Sequence, residues 1–266
     1  MNHAECHNTY RRIEALLNRS SDFAPQDKSV FRFCVQAAYV KSLEFNLAVS
    51  AKGNYNDAFF AVASLRGICE DLIALSYINT LEESDRSDVA MLYMQLTLQA
   101  HVIAQMDYFK ENKPSQSVIK KTVWSPTVRT EVERKLRQFG QKYSWGSRTF
   151  HSVSHMATQA RLVKLYNYLY HATSDFVHFS PHVLLRMGWG DGKSYFNFST
   201  RQFSDYYRDF APFYGTVLFL EFHKRLSSIV SFAGHVDIEM KELKKAVKQT
   251  ARWPEIVTLE EMNRVR

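Results

Sequence analysis

Two short polar patterns, each on an otherwise apolar stretch, carry the chemistry this sequence has to offer. Arg66 and Glu70 stand at i and i+4 within residues 56–78, a stretch apolar almost all round. Helical spacing puts both on one stripe with Phe59, Ala63, Ile73 and Tyr77. A charged pair on an inward stripe is costly to desolvate, and removing one partner costs about 3–5 kcal/mol. The pair is either an internal strut between helices or one wall of a working pocket. In residues 159–178, Leu162, Leu165, Tyr166, Leu169, Phe176 and Val177 mark a second buried helix. Asn167, His171, Ser174 and His178 recur there at intervals of four, three and four, on a single polar stripe. Such groups need hydrogen-bond partners, and Arg66 with Glu70 are the obvious ones.

Two further sets point elsewhere. His151 and His155, at i and i+4, have the spacing of two metal ligands on a helix face, with His171 and His178 as conceivable additions. No carboxylate lies nearby in an HExxH or ExxH arrangement. Between residues 120 and 148, Lys120, Lys121, Arg129, Arg134, Lys135, Arg137, Lys142 and Arg148 face only Glu131 and Glu133, a local excess of six positive charges. A block of that kind attracts polyanions through counterion release, or is a solvated helix face and loop. Trp124, Tyr143 and Trp145 are interleaved with it and suit either base stacking or helix packing. Lys120, Lys121, Arg134, Lys135, Arg137 and Arg148 are the candidate phosphate contacts. No phosphate-cradling Gly-rich loop, nucleophile elbow or Cys/His metal knuckle is present, and no cofactor is implied.

The elements that must position these groups are helices. With 9 Gly and 6 Pro in 266 residues, the chain lacks the turns of a sandwich or barrel. The pattern predicts helices over 27–52, stopped by Gly53, then 56–78 behind Asn56 or Asp57, 87–110, a helix started by Ser125-Pro126, and 159–178, terminated by Pro181. Helix resumes over 201–232, bent or broken at Pro212, and a charged helix over 237–249 precedes a Thr258–Glu261 capping box. Gly188, Gly190 and Gly192, with alternation from Ser194 to Ser199, predict a small peripheral β-hairpin over 187–199. The expected architecture is an all-α bundle in one domain over 1–266, with its core at about 27–232 and a tail at 236–266. Neither a secretory signal nor an apolar run long enough to span a membrane is apparent. Cys6, Cys34 and Cys69 are widely spaced and read as reduced thiols, so a cytoplasmic location is expected.

Three patterns together resemble an uncharacterised bacterial helical family, domain of unknown function 5677. They are Leu65-Arg66-x-x-x-Glu70, then Tyr166-x-x-Leu169-x-x-x-x-Ser174-x-x-Val177-His178-x-Ser180, then Trp253-Pro254-Glu255-Ile256-Val257-Thr258-x-Glu260-Glu261-Met262. That family is similar to the HEPN helical-bundle superfamily, which includes metal-independent RNases of toxin and phage-defence systems. The resemblance implies a catalytic set of His178, Arg66, Glu70 and Ser174. His178 would move the proton, Arg66 hold the phosphate, Glu70 orient Arg66, and Ser174 bond the phosphate or His178. HEPN nucleases usually carry Arg and His four to six residues apart at the start of one helix. Here Ser174 stands four before His178, and Arg148 and His155 lie elsewhere with a six-residue gap. RNA is the implied partner, and a homodimer is expected, with the aromatic segment 201–232 as its interface. The alternative is a non-enzymatic module that binds or senses nucleic acid or a protein partner.

Overall fold

The computed structural model describes residues 1–19, 30–51, 58–116, 126–145, 151–188 and 198–257. The elements are α1 (His3–Leu16), α2 (Val30–Ser50), α3 (Ala58–Ile78), α4 (Glu83–Asn112), α5 (Pro126–Lys142) and α6 (Val153–Gln159), followed by α7 (Val163–Leu165). A π-helical turn (Tyr166–Tyr170) leads into α8 (His171–Ser174), and then come α9 (Pro181–Met187), a 3₁₀ turn (Thr200–Phe203), α10 (Ser204–Tyr207), α11 (Phe210–Leu226) and α12 (Asp237–Gln249).

Three long apolar helices, α2, α3 and α11, pack against one another at the centre. Helix α1 lies on α2 and on α12, which also touches α11; α4 lies on α2, with α5 antiparallel along its first half. Helix α11 buries most of its rings in this core, among them Phe210, Phe213, Phe219 and Phe222. Within the segment expected at a dimer interface, the rings of α11 thus pack inside the bundle, against α2 and α3. The expected helix over 201–232 is broken at 208–209, just ahead of Pro212, which falls in the first turn of α11, where a missing N–H costs nothing. A polar knot ties three helices through this core. Tyr10 Oη donates to Thr216 Oγ1 at 2.7 Å and to Asn46 Oδ1 at 3.2 Å, while Asn46 Nδ2 donates to the carbonyls of Ser42 and Gly215.

Two expectations are corrected. No strand or sheet occurs among the described residues; the one β-bridge joins Leu17 to Phe232. At the two ends of the expected hairpin, Met187 closes helix α9 and Ser199 caps the 3₁₀ turn, and residues 189–197 lie outside the described residues. The ends do meet, with Ser199 N donating to Met187 O at 3.0 Å. Residues 159–178 are also not one helix. They break at Ala160–Arg161, where Arg161 takes a left-handed φ of 55°, pass through the π turn, and end at Ser174. The caps expected at Asn56, Asp57, Ser125 and Thr258 lie outside the described residues.

Candidate functional site

Helix α3 buries Leu65, Ile68, Cys69, Leu72 and Ile73 and leaves Arg66 and Glu70 half-buried on its flank. That flank faces the π turn and α8. Arg66 Nη1 donates to Ser174 Oγ at 2.5 Å, and Arg66 Nη2 donates to Tyr170 Oη at 2.7 Å, with Cζ 4.5 Å from the centre of the Tyr170 ring. Ser174 Oγ in turn donates to the carbonyl of Tyr170 at 2.6 Å, so its lone pairs are turned to Arg66. Tyr166 stacks on Tyr170 with ring centres 4.8 Å apart, and His171 meets Tyr166 edge-on at 4.7 Å. Burial raises the Tyr170 phenol above its ordinary pKa, partly offset by Arg66, so it stays protonated and able to donate.

The expected Arg66–Glu70 ion pair is not formed. Glu70 makes no hydrogen bond or ion pair with any described residue, and hydroxyls rather than a carboxylate orient Arg66. Ser174 stands where the stripe placed it. His178 is exposed, beyond the end of α8; its backbone N–H donates to the Ser174 carbonyl at 3.0 Å, and its ring makes no hydrogen bond with a described residue. Asn167 and His171 are exposed. The register explains the split. A π turn holds one residue more than an α turn, which rotates the residues after it by about 100° relative to those before it. Tyr166, Tyr170 and Ser174, rather than Asn167 and His171, therefore line up toward Arg66. Tyr170 is the residue missed by the sequence reading. Its signal was its place four before Ser174 and four after Tyr166.

The other candidates separate. Arg134, Lys135 and Arg137 are exposed on α5 and engaged with its own carboxylates. Arg134 grips Glu131 with two bonds of 2.7 and 2.6 Å, Lys135 lies 3.9 Å from Glu131, and Arg137 lies 3.7 Å from Glu133. Lys142 bonds Glu82 and Asp85, and these contacts hold the Asp85 carboxyl below its ordinary pKa. Lys135 and Lys142 line a groove of about 550 Å³ between α4 and α5. Lys120, Lys121, Trp124 and Arg148 lie outside the described residues. Trp145 is buried against Tyr77, Tyr143 and His151, which is packing. His151 and His155 stack face to face at 4.1 Å, and among the described residues no cluster of three or more His, Cys, Asp or Glu side chains has metal-binding geometry.

On an all-α bundle, the structure thus places a half-buried arginine, braced by two hydroxyls, beside a pair of stacked tyrosines. The chain belongs to a family of unknown function, DUF5677, whose model matches residues 29–195 and so takes in α2 through α9. No curated protein and no solved structure matches the chain. No helix among the described residues is long and apolar enough to cross a membrane.

Proposed function

We propose that this is an RNA-directed, HEPN-like helical protein in which Arg66, braced by Ser174 and Tyr170, holds a phosphate. The partner set of that guanidinium carries the reading: two neutral hydroxyls and, among the described residues, no carboxylate. Its two bonds occupy two of five N–H donors, and a partly desolvated cation without a counter-ion favours an anion that can take the remaining fork. The Tyr170 hydroxyl proton, unused by a described acceptor, is a further donor to the same phosphate. Tyr166 beside it, and Phe179 at 85% exposure beyond α8, offer rings on which bases stack. Arg134, Lys135 and Arg137, on α5 and apart from the Arg66 cluster, would be a separate set of phosphate contacts; their exposed ion pairs are weak enough to exchange for phosphate. Lys120, Lys121 and Arg148 belong to the same basic block.

Metal-independent cleavage is the finer form of this proposal. RNA supplies the 2′-hydroxyl nucleophile, so the protein needs only a proton carrier and a positive group at the phosphate. His178 is exposed and follows Ser174 by one turn, so it is free to reach the 2′-hydroxyl of bound RNA. The HEPN resemblance adds a cytoplasmic toxin or phage-defence setting, which three free thiols suit. One observation favours the rival binding module: no described side chain orients the His178 ring, whereas a catalytic base is normally held by a third group.

Total RNA and tRNA incubated with the protein in EDTA separate these readings, alongside anisotropy of labelled single-stranded RNA. Cleavage abolished by His178→Ala, with unchanged melting temperature, supports the RNase. Intact RNA, with affinity reduced about 10–100-fold by Arg66→Ala, leaves the binding module. Absence of both cleavage and binding sinks the RNA-directed reading altogether.

A further inference from the structure

Cutting RNA moves two protons, and His178 carries only one of them. The 2′-hydroxyl loses a proton as it attacks, and the departing 5′-oxygen gains one as its bond to phosphorus breaks. An alkoxide leaves poorly, so the second transfer needs an acid of its own. The groups round Arg66 narrow the choice. Arg66 does not give up its proton, and Cys69 is fully buried. His171 stands beside the row that meets Arg66. It is exposed, and its ring makes no hydrogen bond with a described residue. Unlike His178, it is held in place. Its ring lies edge-on to Tyr166 at 4.7 Å and to Tyr170 at 5.7 Å, two rings that themselves stack at 4.8 Å. Arg66 Cζ is 4.5 Å from the centre of the same Tyr170 ring, which therefore joins guanidinium and imidazole.

We infer that His171 is the general acid of this site, giving its proton to the 5′-oxygen while His178 takes one from the 2′-hydroxyl. The inference rests on the RNase form of the proposed function. Ser174, which accepts from Arg66, stands three residues after His171 and four before His178. Helix α8 ends at Ser174, yet its turn continues, with Val177 N and His178 N both donating to the Ser174 carbonyl at 3.1 and 3.0 Å. The two histidines therefore share one flank of the turn, roughly 10 Å apart along its axis, with the serine that holds Arg66 between them. In-line displacement calls for that separation. The attacking and leaving oxygens lie on opposite sides of phosphorus, and with a hydrogen bond of about 2.8 Å beyond each they span roughly 9 Å. Histidine takes up and releases a proton near neutral pH, so one imidazole gives while the other receives. The bond from the 2′-oxygen to phosphorus forms and the bond to the 5′-oxygen breaks. The products are a 2′,3′-cyclic phosphate and a 5′-hydroxyl. Both histidines being exposed, solvent then returns the proton from His178 to His171.

Sulfur in place of the 5′-oxygen tests this, because a thiolate leaves without being given a proton. Two oligoribonucleotides spanning the main site at which the wild-type chain cuts RNA in EDTA are compared, one with a 5′-oxygen and one with a 5′-sulfur at the scissile bond. His171→Gln should slow cleavage of the oxygen substrate by about 10²–10⁴-fold and of the sulfur substrate by less than about threefold, with unchanged melting temperature. His178→Gln should slow both. Equal slowing of the two substrates by His171→Gln, or no slowing, overturns the inference and leaves the RNase reading standing. Sulfur rescue of His178→Gln instead would reverse the two roles and overturn it as well. A wild-type chain that cuts no RNA overturns the RNase reading, and this inference with it.

Discussion

At the scale of single residues, Arg66 decides between the two readings of the polar cluster, and its described partners are hydroxyls rather than the carboxylate of a buried ion pair. A guanidinium neutralising a buried carboxylate leaves that carboxylate stranded when truncated, at about 3–5 kcal/mol. Arg66 instead bonds Ser174 and Tyr170, and Glu70 keeps contact with solvent. Truncation leaves two hydroxyls, of which Ser174 retains its bond to the Tyr170 carbonyl. Arg66→Ala should therefore cost only about 1–2 kcal/mol in urea unfolding. A loss of 4 kcal/mol or more, on the order expected for a broken buried pair, would return the cluster to a structural role. Glu70 acts in the opposite sense. Its negative charge lies beside Tyr170 and raises that phenol further, so it also opposes a phosphate at Arg66. Glu70→Gln should tighten single-stranded RNA binding by about threefold, roughly 0.6 kcal/mol, with little change in melting temperature. Weaker binding would instead make Glu70 an acceptor for the ligand.

At the scale of elements, the long helices were legible because apolar periodicity and glycine or proline punctuation agree along them. Helix α12 begins and ends where the charged pattern does, and α2 and α3 fall within two or three residues of the periodic stretches. The aromatic segment 201–232 was read as one helix bent or broken at Pro212; it is a 3₁₀ turn, α10 and then α11, which ends at Leu226, and its rings were misjudged in space. Counting its rings cannot reveal that α2 and α3 pack against those of α11. The stretch 159–178 failed for a different reason. A π turn leaves apolar composition unchanged and shifts only the register, so Ser174 was read from the polar stripe while Tyr170, on the neighbouring i, i+4 row with Tyr166, was passed over. Gly215 illustrates what sequence does not disclose within a well-predicted helix. A Cβ there would sit 2.7 Å from Asn46 Oδ1 and 2.8 Å from the Phe45 ring, so the glycine lets α2 and α11 close on the Tyr10–Asn46–Thr216 knot. Ala is the better helix former by about 1 kcal/mol, yet overpacking here outweighs that. Gly215→Ala should destabilise the fold by about 1–3 kcal/mol in urea unfolding. Any gain in stability would mean that the helices part without cost and that the knot does not fix their spacing.

At the scale of the whole molecule, the titrating groups that folding perturbs set a stability plateau with two different edges. On the acid side, burial lowers the pKa of His223, whose Nδ1 lies 3.0 Å from Tyr39 Oη, below its ordinary 6.5. The unfolded chain then binds the proton more readily than the folded one. The stability contributed by neutral His223 is complete above pH 6.5 and is lost as pH falls below it. Asp85, bonded to Lys142 and Tyr143, and Asp209, bonded to His3 at 2.6 Å, are held below 3.8 and extend the loss to lower pH. On the alkaline side, burial raises Cys6 to about 11 and Cys69 to about 12, against 9.0 in the unfolded chain. Here the unfolded chain releases the proton first, so stability is complete below pH 9.0 and falls above it. Melting temperature should therefore be flat between pH 6.5 and 9.0 and decline on both sides. His223→Gln should flatten the upper part of the acid limb, leaving the carboxylate losses in place. Cys69→Ala should flatten the alkaline limb while lowering the plateau, because removing its sulfur leaves a small cavity in the core. A His223→Gln profile that still falls between pH 6.5 and about 5 would assign the acid limb to other groups and detach His223 from the Tyr39 contact that joins α2 to α11.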